Sequence, residues 1–197
     1  MKTQVYTFHI AYEGFEDKIW RTAEISGNNT VAQLGYLILA TFDTLAYHAF
    51  EFTHKNTAYA LPMILEEEYI EGAEDATQVK LRQLGLSVGD QFEMDYDYGC
   101  TQVFKIRLDA VRDMENGRGA HYPYITDGRG CGILDDVPAE EFGEIIKKID
   151  ADGVSDYHVE RYGMDTIWDY RRFDLEAENS LLKAEIVRIR EAYEYEE

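Results

Sequence analysis

A histidine and three aspartates are the residues of this chain whose types suit metal binding or proton transfer. Asp95 and Asp97 stand in FEMDYDYG (92–99), His48 begins the alternating segment HAFEFTH, and Asp135 follows a glycine-rich stretch. Imidazole and carboxylate groups together bind divalent ions and also act as general acids and bases. The alternative to a functional site is a structural role, in which Asp95 and Asp97 lie on one strand face and are solvated. His48 then lies at one end of a strand. The residue pattern favours this alternative, so neither a metal site nor a cofactor is predicted.

Two cysteines offer a second kind of chemistry. Cys100 and Cys131 each follow a turn that contains glycine, but they form no metal-binding pattern and at most one bridge. A nucleophilic cysteine needs a base, and the spacing assigns no histidine to either thiol. The stretch DGRGCG (127–132) lacks the lysine and the serine or threonine of a phosphate-binding loop. We therefore predict inert, reduced thiols and a flexible loop.

The charge of the chain limits its partners. Its 197 residues include 39 acidic and 19 basic side chains, for a net charge of −20. A field of that sign repels phosphates and anionic lipid heads, so neither nucleic acid nor a membrane is an expected partner. The N-terminal segment alternates in hydropathy, and no run of about 18 apolar residues follows it. A soluble, cytoplasmic protein is expected.

Hydrophobic periodicity predicts the elements at the start of the chain. Residues 4–12 (QVYTFHIAY) alternate between apolar and polar, as residues 19–25 do, which indicates a β-hairpin with one buried face. The apolar spacing then changes to that of a helix. Asn29 or Thr30 can cap this helix, since both side chains accept hydrogen bonds from backbone amides.

The later elements complete an α+β pattern. Two strands follow the first helix, residues 76–86 are predicted to be a short helix, and a second hairpin turns at Gly99. Pro138 lies early in a further helix. This order predicts a domain over residues 1–150, with a mixed or antiparallel sheet and helices on one face.

Several of these segments together resemble the plasmid pRiA4b ORF-3-like family. The matching stretches are IWRTAEISGNNTVAQL, YHAFEF, FEMDYDYG and YPYITDGRGCGILDD, in family order over about residues 3–146. The resemblance implies a ubiquitin-like (β-grasp-like) core and a bacterial protein associated with plasmids or mobile elements, without an established activity. Tyr98 and Cys131 lie in the matching motifs. They join a candidate ligand site that also contains His48, Asp95, Asp97 and Asp135.

The chain departs from the family pattern after Gly99. Family members usually have an aspartate, a tryptophan and a histidine where this chain has Cys100, Gln102 and Phe104. A Pro-Pro-Glu-Asp stretch after the cysteine is also replaced. These changes remove polar partners of the acids before the turn. They favour a structural role for the turn at Gly99 over an active ligand site, and they leave open whether a site was lost.

The C-terminal segment DLEAENSLLKAEIVRIREAYEYEE (174–197) has the most regular pattern in the chain. Heptad spacing links Leu175, Asn179, Leu182, Ile186 and Ile189. Asparagine at an a position and leucine at d positions are typical of parallel dimers. The pattern predicts a homodimer through a C-terminal helical extension, residues 151–197. Because the heptad positions from Leu175 to Ile189 cover fewer than three heptads, a helix packed on its own domain is the alternative.

The leading functional hypothesis is a non-catalytic binding protein with an unidentified protein partner. The alternative, from a different class, is a metal-dependent or small-ligand-binding enzyme with a site near His48, Asp97 and Asp135. Metal ligation needs ligand atoms about 2 Å from the ion, so a separation of His48 and Asp97 beyond about 10 Å would exclude this alternative.

Overall fold

A computed structural model describes residues 2–66, 70–161 and 163–194 of the chain. The strands of the described part are β1 (Gln4–Tyr12), β2 (Trp20–Ser26), β3 (Phe50–His54), β4 (Thr57–Ala60), β5 (Glu74–Asp75), β6 (Gln91–Tyr96), β7 (Gln102–Asp113), β8 (Tyr124–Arg129), β9 (His158–Arg161) and β10 (Met164–Ile167). The helices are α1 (Val31–Thr41), α2 (Pro62–Glu66), α3 (Ala139–Asp152) and α4 (Leu175–Glu194). None of them combines the length and the apolar character that a membrane crossing requires.

One large sheet organises the fold. Its eight strands run in the order β5-β4-β3-β6-β7-β1-β2-β8, while β9 and β10 form a separate hairpin. The strand β1 pairs antiparallel with β2 on one side and with β7 on the other. A parallel pairing of β4 with β5 makes the sheet mixed. The α+β class with a mixed sheet and a C-terminal helix is confirmed, whereas the ubiquitin-like core is not.

The alternation of β1 separates a buried face from a polar one. Tyr6, Phe8, Ile10 and Tyr12 are at most 5% exposed, whereas the intervening His9 is half-buried. Helix α3 packs on the buried face, where the Phe142 ring meets Tyr12 edge to face at 5.3 Å. Helix α4 then packs on α1. The helices therefore cover the apolar face of the sheet.

The start of α1 confirms one of the two predicted caps. The Thr30 side chain accepts a hydrogen bond from the Gln33 amide, and the Gln33 side chain accepts one from the Thr30 amide. This reciprocal pair satisfies two of the free amides of the first turn. Further along, Gly35 faces the ring of Phe50, which a Cβ at this position would overlap. A glycine is required here by close packing of the helix on β3.

The predicted helix over residues 76–86 is wrong. Only a single 3₁₀ turn, Leu81–Gln83, forms in this segment. The Leu81 amide donates to the Asn29 carbonyl, and the Val31 amide donates to the Val79 carbonyl. Because these backbone groups bind the chain at the start of α1, they are not available to a helical ladder of their own.

The C-terminal helix uses its heptad positions within the chain. Leu182 and Ile189 are buried in the same hydrophobic core as β1 and α1. The Asn179 amide group donates to the Ile125 carbonyl and accepts from the Ile125 amide, both at 2.9 Å. A dimer through this seam would require α4 to leave the domain. The alternative, a helix packed on its own domain, describes α4 as it lies.

Self-association itself stays a prediction. The last three residues of the predicted helical segment, 195–197, lie outside the described residues. The expected division of the chain after residue 150 falls inside α3, which ends at Asp152 and is followed by Gly153 with φ +73°. Glycine tolerates this left-handed conformation, which is a common way to end a helix.

Candidate functional site

Three loops bring His48, Asp97 and Asp136 together at one end of the sheet. His48 lies between α1 and β3, Asp97 directly follows β6, and Asp136 precedes α3. The His48 Nε2 atom lies 3.5 Å from Asp97 Oδ2 and 2.9 Å from Asp136 Oδ1. One potential ligand atom from each residue falls within 4.8 Å of the others. We call these residues the His48 cluster.

The backbone turns both carboxylates of the cluster toward the imidazole. Asp97 has φ +63° and Asp136 has φ +60°, in the left-handed region that few residues other than glycine adopt. The Asp97 amide donates to the Ala49 carbonyl at 3.1 Å, and the Asp97 Oδ1 atom accepts from the Gly99 amide at 2.9 Å. Strained conformations of this kind cost about 1–3 kcal/mol each and concentrate at functional sites.

The two carboxylates of the cluster differ in their surroundings. The Asp97 side chain is buried, whereas that of Asp136 is exposed. The Tyr47 hydroxyl donates to Asp136 Oδ2, and this hydrogen bond, together with His48, lowers the pKa of Asp136. Burial and the same hydrogen bond raise the pKa of Tyr47. Asp136 is thus held ionised at the open side of the cluster.

Neighbouring side chains hold the loops of the cluster in place. Asp135 accepts hydrogen bonds from the Tyr96 hydroxyl at 2.8 Å and from the Leu45 amide at 2.9 Å. The Tyr193 hydroxyl, in the last turn of α4, donates to the His48 carbonyl. Asp135 therefore connects the loop of Asp136 to the loop of His48. The Tyr193 hydrogen bond connects the loop of His48 to α4.

The structure separates the six candidate ligand residues. His48 and Asp97 lie in the cluster, and Asp135 is next to it. The other three, Asp95, Tyr98 and Cys131, lie elsewhere.

Asp95 lies on the other face of β6 from Met94 and Tyr96, and burial with nearby Glu93 raises its pKa. The Tyr98 hydroxyl donates to Glu51 at 3.1 Å. Because β6 ends at Tyr96, the strand alternation that placed Asp95 and Asp97 on one face does not extend to Asp97.

Sequence reasoning missed Asp136 and Tyr47. Asp136 is adjacent to the predicted Asp135, and this pair of aspartates is the signal in the sequence. Tyr47 precedes His48 directly, and its ring centroid lies 4.2 Å from that of the imidazole. Both residues are therefore sequence neighbours of predicted site residues.

The positions that depart from the family pattern have structural roles. Gln102 is buried, accepts from the Tyr12 hydroxyl and donates to the Val137 carbonyl at 2.9 Å, so it anchors the loop directly after Asp136. Phe104 points into the core, where its ring meets Phe42 at 4.8 Å. A histidine in the orientation of Phe104 would face the core and not the His48 cluster.

The chemistry of the cluster follows from its donor set. One imidazole and two carboxylates suit divalent transition metals, and three protein ligands leave coordination positions for water or substrate. With no ion, the contact of 2.9 Å between His48 and Asp136 is a hydrogen-bonded acid–base pair. Both forms place a proton acceptor at the protein surface.

Comparisons with known proteins bear on family and fold. A family model described as plasmid pRiA4b ORF-3-like protein matches residues 4–178. The crystal structure of a protein of unknown function from Methanosarcina mazei is similar, with a TM-score of 0.69 and 20% identity over 89% of this chain and 97% of that one. At this identity the similarity concerns the fold alone. Among curated proteins, none matches the chain.

Proposed function

The chain belongs to the plasmid pRiA4b ORF-3-like family, and we propose that it is a binding protein that holds one divalent cation at His48, Asp97 and Asp136. The observation that carries the proposal is the convergence of three donor atoms, from three separate loops, within 4.8 Å. Two of the three residues, Asp97 and Asp136, hold left-handed backbone conformations. The fold thus brings three loops to one point.

Electrostatics support a cation over an ion pair between side chains. Both carboxylates approach the same imidazole nitrogen, so two acidic groups face a single basic side chain. A protonated imidazole balances only one of them. Asp135 adds a third carboxylate nearby, and the whole chain carries a net charge of −20. A divalent ion would neutralise both carboxylates of the cluster at once.

The donor set also supports a choice of metal. Imidazole ligands suit zinc, iron and other transition metals, whereas magnesium and calcium prefer sites made only of oxygen atoms. We therefore expect Zn²⁺ or Mn²⁺ to bind more tightly than Mg²⁺. The Tyr47 hydrogen bond to Asp136 acts as an outer support, a role that typically changes metal affinity by about 10- to 100-fold.

Calorimetric titration of chelator-treated protein with Zn²⁺, Mn²⁺ and Mg²⁺ tests the proposal. We expect one saturable site in the wild type. Asp136→Asn should weaken binding by about tenfold or more, because the amide keeps the size of the side chain but removes a charged ligand. Asp95→Asn is the matched control, since Asp95 is outside the His48 cluster, on the face of β6 opposite to Met94 and Tyr96. Absence of binding to the wild type, or an equal loss in the control, would refute the metal site.

A metal-dependent enzyme is the second candidate function. The observation that favours it is the exposure of Tyr47 and Asp136, which leaves the open coordination positions accessible to a substrate. Hydrolysis of a chromogenic ester or phosphoester that requires the added ion and is lost in Asp136→Asn would support this function. Metal binding without any turnover would leave the binding protein as the function.

A further inference from the structure

A buried guanidinium on β2, outside the His48 cluster, has an unused edge, that is, one nitrogen without a hydrogen-bond partner among the described residues. Arg21, on β2, has no exposed surface, and its guanidinium lies between the rings of Phe42 and Phe173, at 5.1 and 4.5 Å from their centroids. The rings cover its two faces. Any further polar partner must therefore approach in the plane of the group.

Two of the three guanidinium nitrogens are satisfied. The Arg21 Nε atom donates to the Thr41 hydroxyl at 3.1 Å, and Nη1 donates to the Trp20 and Arg129 carbonyls at 2.9 Å. The Nη2 atom, with two N–H groups, has no hydrogen-bond partner in the described part of the chain. Its nearest acid is Glu178, with Oε1 at 3.8 Å, beyond hydrogen-bond distance. Buried donors in proteins are nearly always paired, so this edge indicates a missing acceptor.

The unused edge lies behind the wall of an open cleft. The cleft has a volume of about 600 Å³, within the range typical of small-molecule sites. Glu178 and Phe173, which contact or face the guanidinium, both line it, as do Asp43 and Cys131, which interact electrostatically with Arg21. Leu181 also lines it, three residues after Glu178 in α4, and is 62% exposed. The cleft thus combines an adjacent cation and anion with an apolar wall.

We propose that this cleft binds a small zwitterion of the α-amino-acid type. The ligand carboxylate pairs with Arg21 Nη2, its ammonium pairs with the Glu178 carboxylate, and an apolar side chain packs on Phe173 and Leu181. The Glu178 side chain is 22% exposed and borders the cleft, and its carboxylate accepts a hydrogen bond from the Thr41 hydroxyl at 3.1 Å. Turning it outward gives up this hydrogen bond and opens the way to Nη2.

The neighbouring charges favour a zwitterion over a simple ion. A purely anionic ligand would meet repulsion from Glu178 and Asp43, and a purely cationic ligand would meet repulsion from Arg21. An α-amino acid carries both charges on one carbon, which matches the close spacing of Arg21 and Glu178. The lining also contains two arginines, Arg171 and Arg172, and two further acids, Asp174 and Glu185, so these additional charges balance one another.

Calorimetry with L-leucine as the probe tests the proposal. We expect saturable binding with a Kd at or below about 1 mM. Leucinamide lacks the carboxylate and N-acetyl-leucine lacks the ammonium, so each should bind about tenfold more weakly or worse. Equal binding of leucinamide and leucine would overturn the proposal. So would the absence of saturable heat with leucine and phenylalanine at about 10 mM.

Variants of the full chain then locate the site. Glu178→Gln and Leu181→Ser should each weaken leucine binding several-fold. Leu181 is largely exposed, so the second variant keeps its fold even if the first is destabilised. Val88→Ser is the matched control and should bind leucine like the wild type, because Val88 is as exposed as Leu181 and is not part of the cleft. Loss of leucine binding in Val88→Ser, or normal binding in Leu181→Ser, would refute the assignment.

Discussion

Replacing Ile189 with alanine tests whether the heptad positions of α4 serve the fold or a dimer. The Ile189 side chain is fully buried in the core of its own chain. Truncating a buried isoleucine to alanine costs about 2–5 kcal/mol, through lost burial and the cavity that remains. For a chain of 197 residues, each kcal/mol lowers Tm by about 2–4 °C. A loss of about 3 kcal/mol therefore predicts a Tm about 6–12 °C lower.

Val187→Ala provides the matched control in the same helix. Its side chain is 41% exposed, and exposed substitutions usually change stability by less than about 0.5 kcal/mol. Both substitutions replace a β-branched residue by alanine, so the gain in helix propensity is similar and cancels in the comparison. The difference between the two variants then reports the burial of Ile189.

Urea unfolding followed by tryptophan fluorescence measures the difference, and light scattering after size exclusion measures the mass. We expect Ile189→Ala to lose stability and keep the mass of the wild type. A variant that retains the stability of Val187→Ala, but converts a wild-type dimer into a monomer, would refute the packing of α4 on its own domain. That result would restore the coiled-coil interpretation.

Three further perturbations follow from individual contacts. Gly35→Ala places a Cβ against the Phe50 ring, so overpacking should outweigh the gain in helix propensity. The free energy of unfolding, measured in urea, should fall by about 1 kcal/mol, and an increase would contradict this packing. Asn179→Ala leaves a buried amide and carbonyl without partners and should cost about 1–3 kcal/mol by the same measurement, and a neutral effect would exclude the contact. Tyr47→Phe removes the hydrogen bond that lowers the Asp136 pKa, so that pKa should rise in an NMR titration. A carboxyl with a lowered pKa stabilises the fold above its unfolded pKa and loses this effect as the pH falls, so Tyr47→Phe should lower the stability at neutral pH and leave the stability in acid nearly unchanged.

The sequence predicted the elements whose side chains alone decide their structure. The alternation of β1 predicts its buried face, and a cap at Asn29 or Thr30 predicts the start of α1. The segment 76–86 failed because its backbone bonds to residues 29–31, a tertiary contact that leaves no trace in periodicity. The heptads of α4 identified the apolar face correctly. A heptad pattern does not say whether the partner surface belongs to the same chain or to another.

The candidate site was predictable in residue type but not in geometry. His48 and Asp97 could be selected because imidazole and carboxylate are the groups that bind ions. Asp136 was missed because nothing in two adjacent aspartates says which one faces His48, and the left-handed φ of Asp136 cannot be read from the sequence. The unused edge of Arg21 was equally hidden, since a lone arginine in a strand is usually exposed.

The position of β1 in the sheet affects how the chain folds during synthesis. Tyr12 ends β1 and Gln102 begins β7, so about 90 residues separate these neighbouring strands. At a rate of synthesis of about 5–20 residues per second, the ribosome needs about 5–20 s to make the residues between them. In that interval the nascent β1–β2 hairpin has two unpaired edges, since β8, the other neighbour of β2, is made after β7, and it has an uncovered row of aromatic side chains. Such an edge can template aggregation. We expect the early hairpin to be the segment of the nascent protein that most needs protection by a chaperone.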